Sequence, residues 1–398
     1  MDPSFPSKHG EAERQHLMAK AKNQRAVIVG VGASDYAQLY RTVDPDMTME
    51  GLGLDVLRAA LQDAGLTISA IDGLITSGSF YYPNFAFRAG LRDARFIIPY
   101  PMSGRMCAPA LNQACMAVEN GHADYVALVY STTMRSTKMS FGSEETAGDM
   151  YDAPYGMTSP GAYYAMAYDR YQKEYGLQGK DELLAAVPVA IRHHASLNPS
   201  AVMQAPIAVD DYMQSRFVAR PLRLFDYCLV TDGAVCYIVT TEERARDLKK
   251  PPVFVAAVAE KAALREWFVP EDLWYSACQD MGKRVLQRAG LTLSDISSLQ
   301  VYDNFSISVI WALEGYGFCP RGTALDWVQG GKIALGGSLP INTSGGMLSE
   351  AYLQGWNHHV EAVRQLRGEC GARQVTDCSA VLYSCLGPVA SATLLTRG

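Results

Sequence analysis

Three sets of residues in this chain are of types that do chemistry: nine cysteines, two adjacent histidine pairs and a glycine-x-glycine turn. The cysteines (107, 115, 228, 236, 278, 319, 370, 378 and 385) are odd in number and widely spread. They form no Cys-x-x-Cys pair and have no histidine at ligand spacing, so a zinc site and a disulfide framework both lose support. Each taken singly reads as a small buried hydrophobe. His193-His194, after Arg192, and His358-His359 are expected as packing or solvated pairs. Gly30-x-Gly32 follows an apolar stretch as a dinucleotide-binding turn does. Asp35 takes the place of the third glycine and no helix clearly begins there, so a nicotinamide cofactor is not expected.

The elements that must position any site are carried by a chain of 398 residues, long enough for two or three domains. With 48% hydrophobic and 19% charged residues the composition is that of a globular protein. The 35 Lys and Arg against 41 Asp and Glu include no basic run that would neutralise a row of phosphates, so nucleic acid is not an expected partner. Met1 to Gln24 lack the apolar core of a signal peptide, and no window approaches a membrane span. A soluble cytoplasmic protein is the expectation.

An internal repeat organises the chain. Residues 61–75 read LQDAGLTISAIDGLI and residues 286–300 read LQRAGLTLSDISSLQ, a recurrence at an offset of 225. Each copy closes an amphipathic helix with apolar stripes at Leu54, Leu57, Leu61 and Ala64, and at Cys278, Met281, Val285 and Ala289. Gly65 and Gly290 follow as C-caps, and a short connection then enters a strand at 73–76 or 299–301. RAVIVGVG (25–32) and PPVFVAAVA (251–259) are strand-like openings to the two halves. The boundaries read as an N-terminal extension at 1–24, a first α/β half at 25–250 with an inserted region at 131–217, and a second half at 251–398.

The inserted region is rich in Tyr, Met, Gly and Ser, and seven of the 22 tyrosines lie between 151 and 175. Ser159-Pro160 suits an N-cap and first helical position, after which Tyr164, Tyr168, Tyr171 and Tyr175 share one helical face. That face packs on the main body or walls a ligand or partner site.

The paired halves, the inserted region, ACMAVENGHADYVALV (114–129), Ser344-Gly345-Gly346 and the CLGPVASATLL terminus together resemble the thiolase superfamily, in its sterol-carrier or lipid-transfer branch. The resemblance implies a duplicated five-layer α/β/α/β/α fold with an inserted loop domain, a dimer, and coenzyme A as part of the substrate, with no covalently bound cofactor.

The resemblance also locates reactive positions. Family thiolases place a nucleophilic cysteine at a helix N-terminus, where the dipole favours the thiolate. It lies seventeen residues before a Gly-x-Ala-Asp turn, here Gly121-His122-Ala123-Asp124, and the count lands on Gly104. Cys107 stands three residues on, about 4.5 Å further along a helix axis. The family's next motif is a tetrad opened by His or Asn; here it is Tyr302-Asp303-Asn304-Phe305. The third, a Gly-His-Pro loop after a glycine pair, becomes Gly345-Gly346-Met347-Leu348-Ser349-Glu350-Ala351-Tyr352. Departures at all three positions argue against thiolysis and Claisen condensation, which need a thiolate and a base.

Two tyrosines at the altered positions make the chain similar to the thiolase-like aldolases that shorten steroid side chains by retro-aldol cleavage of β-hydroxyacyl-CoA. Such a lyase needs a base for the β-hydroxyl, an oxyanion site for the enolate and an acid for the α-carbon. Tyr302 and Tyr352 are the expected acid-base pair, with Asp303 and Asn304 as orienting groups. Ser344, Gly345, Gly346 and Gly104 are expected substrate- and CoA-binding positions. A thiolase or acyltransferase using Cys107 or Cys385, and a non-catalytic acyl-CoA or lipid binder, are the alternatives. The branch also implies a small zinc-ribbon/OB-fold acyl-CoA-associated protein as a separate subunit. The Tyr- and Met-rich insertion is its expected docking surface.

Overall fold

The computed structural model describes residues 25–42, 44, 46–78, 80–100, 105–139, 153–157, 159–262 and 270–398. The expected N-terminal extension and Gly104 lie outside them. In chain order the elements used below are β1 (Ala26–Ala33), α1 (Met49–Ala64), β2 (Gly73–Ser77), β3 (Phe96–Tyr100), α2 (Cys107–Glu119) and β4 (Val126–Thr133). Next come α3 (Pro160–Glu174), α4 (Ala186–Ser196), the ribbon β5 (Phe217–Ala219) and β6 (Leu222–Arg223), and β7 (Asp232–Thr241). The second half carries β8 (Val253–Ala262), α5 (Tyr275–Ala289), β9 (Ser298–Val301), α6 (Ser306–Tyr316), α7 (Trp356–Arg367), β10 (Ala380–Cys385) and β11 (Val389–Arg397).

The repeat is structural. Helix α1 ends in a left-handed Gly65 (φ 73°) and α5 in a left-handed Gly290 (φ 67°), a conformation in which glycine carries no Cβ penalty. One 3-10 turn follows in each copy, at Ile68–Ala70 and Leu293–Asp295, before β2 or β9 begins. The α1 stripe is rotated from expectation. Leu52 and Val56 are buried beside Leu57, Leu61 and Ala64, and Leu54 is only half-buried, because α1 lies flat against β1. A Cβ at Gly30 or Gly32 would strike the α1 backbone at Ala60 or Val56, so these glycines serve close strand–helix packing.

The sheet order is β3-β2-β4-β7-β1-β8-β11-β10-β9. Read outward from the β1/β8 junction, one side runs β1, β7, β4, β2 and the other β8, β11, β10, β9. In both, two antiparallel pairings precede one parallel pairing. Strand β3 is an extra edge on the first side. The sides join only at Val27–Phe254 and Ile28–Val253.

Alternation along the strands separates three cores. Ala26, Ile28, Val235 and Tyr237 of one side and Val381, Tyr383 and Leu395 of the other share a central core with Leu111 and Val118 of α2 and Val360 and Val363 of α7. Val27, Val29, Cys236 and Ile238 face α1 instead. Leu382, Ala392 and Leu394 face α5 and α6. The layers are therefore α1, sheet, α2 with α7, sheet, and α5 with α6. Coverage of both faces explains why β7 and β10 are buried along their whole length. No helix among the described residues is long and apolar enough to cross a membrane.

Between β4 and β7, helix α3 starts with Pro160 after Ser159, and its tyrosine stripe turns inward. Tyr164 stacks on Phe305 at 4.2 Å, and Tyr171 donates to Glu314 Oε1 at 2.6 Å. Tyr275 and the Ala324 N–H also donate to this buried Glu314. The expected partner surface therefore loses Tyr164, Tyr168 and Tyr171 to the chain's own core. Long-range contacts with α6, invisible to local periodicity, bury them. The exposed large hydrophobic side chains described in the insertion are Met139, Tyr155 (85% exposed), Met166 (55%) and Val209.

Candidate active site

The parallel strands β9 and β10 end side by side, and the residues beyond their ends build the site. Tyr302 follows β9 directly and its N–H donates to the Ser384 carbonyl at 2.8 Å. The loop returning to this point is held by Asn342, whose side chain both accepts from the Val301 N–H (2.7 Å) and donates to the Val301 carbonyl (3.0 Å). Gly345 and Gly346 then turn with φ of 108° and 54°. A Cβ at Gly346 would strike the Asp303 carboxylate. The wide turn Gly346–Glu350 brings the chain round to Tyr352.

There the two expected tyrosines meet. Their hydroxyls are 3.2 Å apart across fifty residues of sequence, with Tyr302 3% and Tyr352 7% exposed. Burial pushes both phenols above their ordinary value. Tyr352 adds to the rise at Tyr302, whereas Cys228 adds to it at Tyr352; the Arg105 cation works in the opposite direction on both. The Arg105 guanidinium lies 5.8 Å from the centre of the Tyr302 ring. Its backbone is left-handed (φ 82°), a conformation costing a non-glycine residue about 1–2 kcal/mol.

The thiols are neutral. Cys107 opens α2, yet it is fully buried and donates its S–H to the Tyr383 hydroxyl at 3.0 Å. Burial pushes this thiol well up, outweighing the helix N-terminus. Cys385 is pushed up to about 12 by burial, against the pull of Arg105. A Cβ at Gly355 would strike the Tyr383 hydroxyl and lie 2.9 Å from Tyr302 and 3.2 Å from the Cys107 sulfur, so these groups converge on one glycine.

The other expected residues hold the loop. Asp303 accepts from the Met347 N–H (2.8 Å) and the Leu348 N–H (3.3 Å), and His358 Nε2 lies 3.2 Å from it. Asn304 accepts from Ser308 at 2.9 Å through its side-chain oxygen. Ser344 donates to Glu350 Oε2 at 2.6 Å, and the Gly345 N–H donates to the Asn342 carbonyl at 2.9 Å. The Gly345 N–H is thus engaged within the loop. Asp303 is turned to the loop amides.

The histidine pairs differ. His193 is exposed, while buried His194 Nε2 accepts from the Leu335 N–H at 3.1 Å, leaving the proton on Nδ1, 3.3 Å from the Asn342 carbonyl. Burial lowers His194 to about 4 and His359 to about 3. His359 packs on the Tyr383 ring at 4.5 Å.

Three groups at the site escaped the sequence reading: Arg105, Tyr383 and Glu350. Glu350 is buried and receives Ser344, Asn357 (2.7 Å) and Asn198 (3.1 Å). Arg105 had a signal, a basic residue beside the position to which the nucleophile count leads. Tyr383 and Glu350 had none, since only tertiary contact gives them meaning.

Two duplicated α/β halves enclosing a layer of two helices, with the reactive groups at the ends of the parallel strands, define a thiolase fold. Residues 259–396 match the thiolase C-terminal domain-like family. The chain is 35% identical to 17-hydroxy-3-oxo-4-pregnene-20-carboxyl-CoA lyase of Mycobacterium tuberculosis, over 86% of this chain and 92% of that protein. It is 32% identical to a steroid side-chain-cleaving aldolase of Thermomonospora curvata, over 86% and 90%. Among solved structures, an Ltp2-ChsH2(DUF35) aldolase superposes with a TM-score of 0.85 at 32% identity, covering 94% of this chain and 98% of that one. The chain belongs to the thiolase superfamily, in its sterol-carrier thiolase-like branch, with steroid side-chain-cleaving aldolases among its relatives.

Proposed function

We propose that the chain is a carbon-carbon lyase that cleaves a bulky, steroid-type β-hydroxyacyl-CoA by a retro-aldol step, giving a ketone and a shorter acyl-CoA. The observation that carries this is the buried Tyr302–Tyr352 contact beside neutral thiols. The names of the relatives, a carboxyl-CoA lyase and an aldolase, support the substrate class.

High phenol pKa values disfavour a standing phenolate base, but a hydrogen-bonded pair can pass a proton without one. One hydroxyl accepts the β-hydroxyl proton as it gives its own to the other, which in the same concerted step releases its proton toward Cα, so neither oxygen carries two protons. The Cα–Cβ bond breaks as the ketone C=O forms, and its electron pair moves onto Cα and the thioester oxygen. The second hydroxyl protonates Cα. Each tyrosine ends with one proton, so the step consumes no co-reactant, and coenzyme A takes part only as a portion of the substrate.

Incubation with a panel of β-hydroxyacyl-CoAs, with ketone followed by mass spectrometry, tests the proposal. Cleavage of a steroid-type thioester is expected. Acyl transfer to CoA without ketone would favour the thiolase reading.

For partners, we propose a homodimer carrying a small zinc-ribbon/OB-fold acyl-CoA-associated protein as a separate subunit. A neighbour named as an aldolase with a DUF35 component supports the second subunit. The outer edge of β3, which pairs with no strand among the described residues and has Ile97 exposed, supports the first. Co-expression followed by light scattering is the test. A monodisperse, fully active dimer that ignores the candidate partner would remove the heteromeric part.

A further inference from the structure

The retro-aldol step leaves one requirement unmet by the tyrosine pair: a seat for the negative charge on the thioester oxygen. Three backbone donors of the loop beside the pair are spent. The Gly345 N–H goes to Asn342, and the Met347 and Leu348 N–H groups go to Asp303.

Arg105 is different. Its guanidinium lies over Tyr302, its Nε is buried without a hydrogen-bond partner, and among the described residues no carboxylate pairs with it. Burial works against its charge, yet a guanidinium stays cationic inside proteins, and Tyr164, Tyr302, Cys385 and Tyr352 face it. None of the four is a carboxylate. Gly387 makes the placement possible, since a Cβ there would collide with Arg105 Cδ and Nε.

We propose that Arg105 is the enolate seat, a cation beside the Tyr302–Tyr352 pair that takes the negative charge building on the thioester oxygen as the Cα–Cβ bond breaks. This rests on the retro-aldol function proposed above and adds a catalytic residue to it. As the bond breaks, its electron pair flows through Cα to the thioester oxygen, and the guanidinium donates to that oxygen. When Cα is protonated the pair returns, the C=O re-forms, and Arg105 is again without an anion.

The test uses the full-length wild-type, Arg105→Gln and Arg105→Lys proteins in the assembly that is active. Two non-cleavable CoA analogues serve as probes, one with a carboxylate where the enolate would form and one with a neutral carboxamide there. Calorimetry should show wild-type preferring the anionic analogue by at least about ten-fold. Arg105→Gln should lose that preference while keeping its affinity for the neutral analogue, which also reports that the variant is folded. Turnover should fall about a hundred-fold or more in Arg105→Gln, in the range for loss of an oxyanion donor, with KM little changed, and Arg105→Lys should recover part of it. Unchanged preference or turnover in Arg105→Gln overturns the assignment of Arg105 and leaves the lyase function standing. If wild-type binds neither analogue and forms ketone from no β-hydroxyacyl-CoA, the function itself fails and the seat with it.

Discussion

Replacing one tyrosine of the pair by phenylalanine deletes a hydroxyl and almost nothing else, so Tyr302→Phe and Tyr352→Phe separate chemistry from packing. The hydroxyls make a 3.2 Å contact in a buried site. Removing one leaves its partner short of a hydrogen bond, at a cost on the order of 1–3 kcal/mol. Removing both leaves no orphaned hydroxyl within the pair, so the double variant should lose less stability than the sum of the singles. Catalysis should respond differently. A positioned proton-transfer group contributes roughly a hundred-fold or more, so each single variant should lose at least that much turnover. Because the relay fails when either hydroxyl is missing, the double variant should lose no more than the worse single. Initial rates of ketone formation and urea unfolding of all four proteins supply both halves. Near wild-type cleavage by either single variant, or multiplication of the two losses in the double, would refute the relay.

Cys107→Ser and Cys385→Ser should keep cleavage within about ten-fold of wild-type, since neither buried thiol is a thiolate; loss of turnover that tracks alkylation by iodoacetamide and is prevented by acyl-CoA would restore the cysteine mechanism. Glu314→Gln should destabilise the protein by roughly 2–4 kcal/mol in urea unfolding, because the carboxylate accepts from Tyr171, Tyr275 and the Ala324 N–H and ties the insertion to the second half. Acid should destabilise through His194, whose folded pKa is lowered from 6.5 to about 4 by burial. The unfolded chain binds that proton first, so stability is lost as pH falls from about 6.5 toward 4, by on the order of 3 kcal/mol. Asp226, raised by burial to about 6, works the other way and stabilises as pH falls through that value toward 3.8. Unfolding free energies measured from pH 7 to 5 should therefore fall less steeply in His194→Asn than in wild-type, once each is referred to its own value at pH 7.

What the sequence by itself determined lies where the signal is local. The helix ends at Gly65 and Gly290, the turns after them and the strands at 73 and 298 recur because capping and periodicity are written in short windows. The duplicated halves followed from that recurrence, and the motif positions of Tyr302 and Tyr352 were legible from spacing against the family frame. Which of these groups are available depends on contacts between segments far apart in the chain. The tyrosine stripe of α3 is consumed by α6, Asp303 by two loop amides and the Gly345 N–H by Asn342, all through partners distant in sequence or set by a folded turn. Burial, and not the position at a helix start, sets the state of the Cys107 thiol, since desolvation depends on everything packed around the sulfur. Arg105 carries weight for the same reason: that no carboxylate among the described residues pairs with it is a property of the assembled site, set by the surrounding side chains and by the space at Gly387.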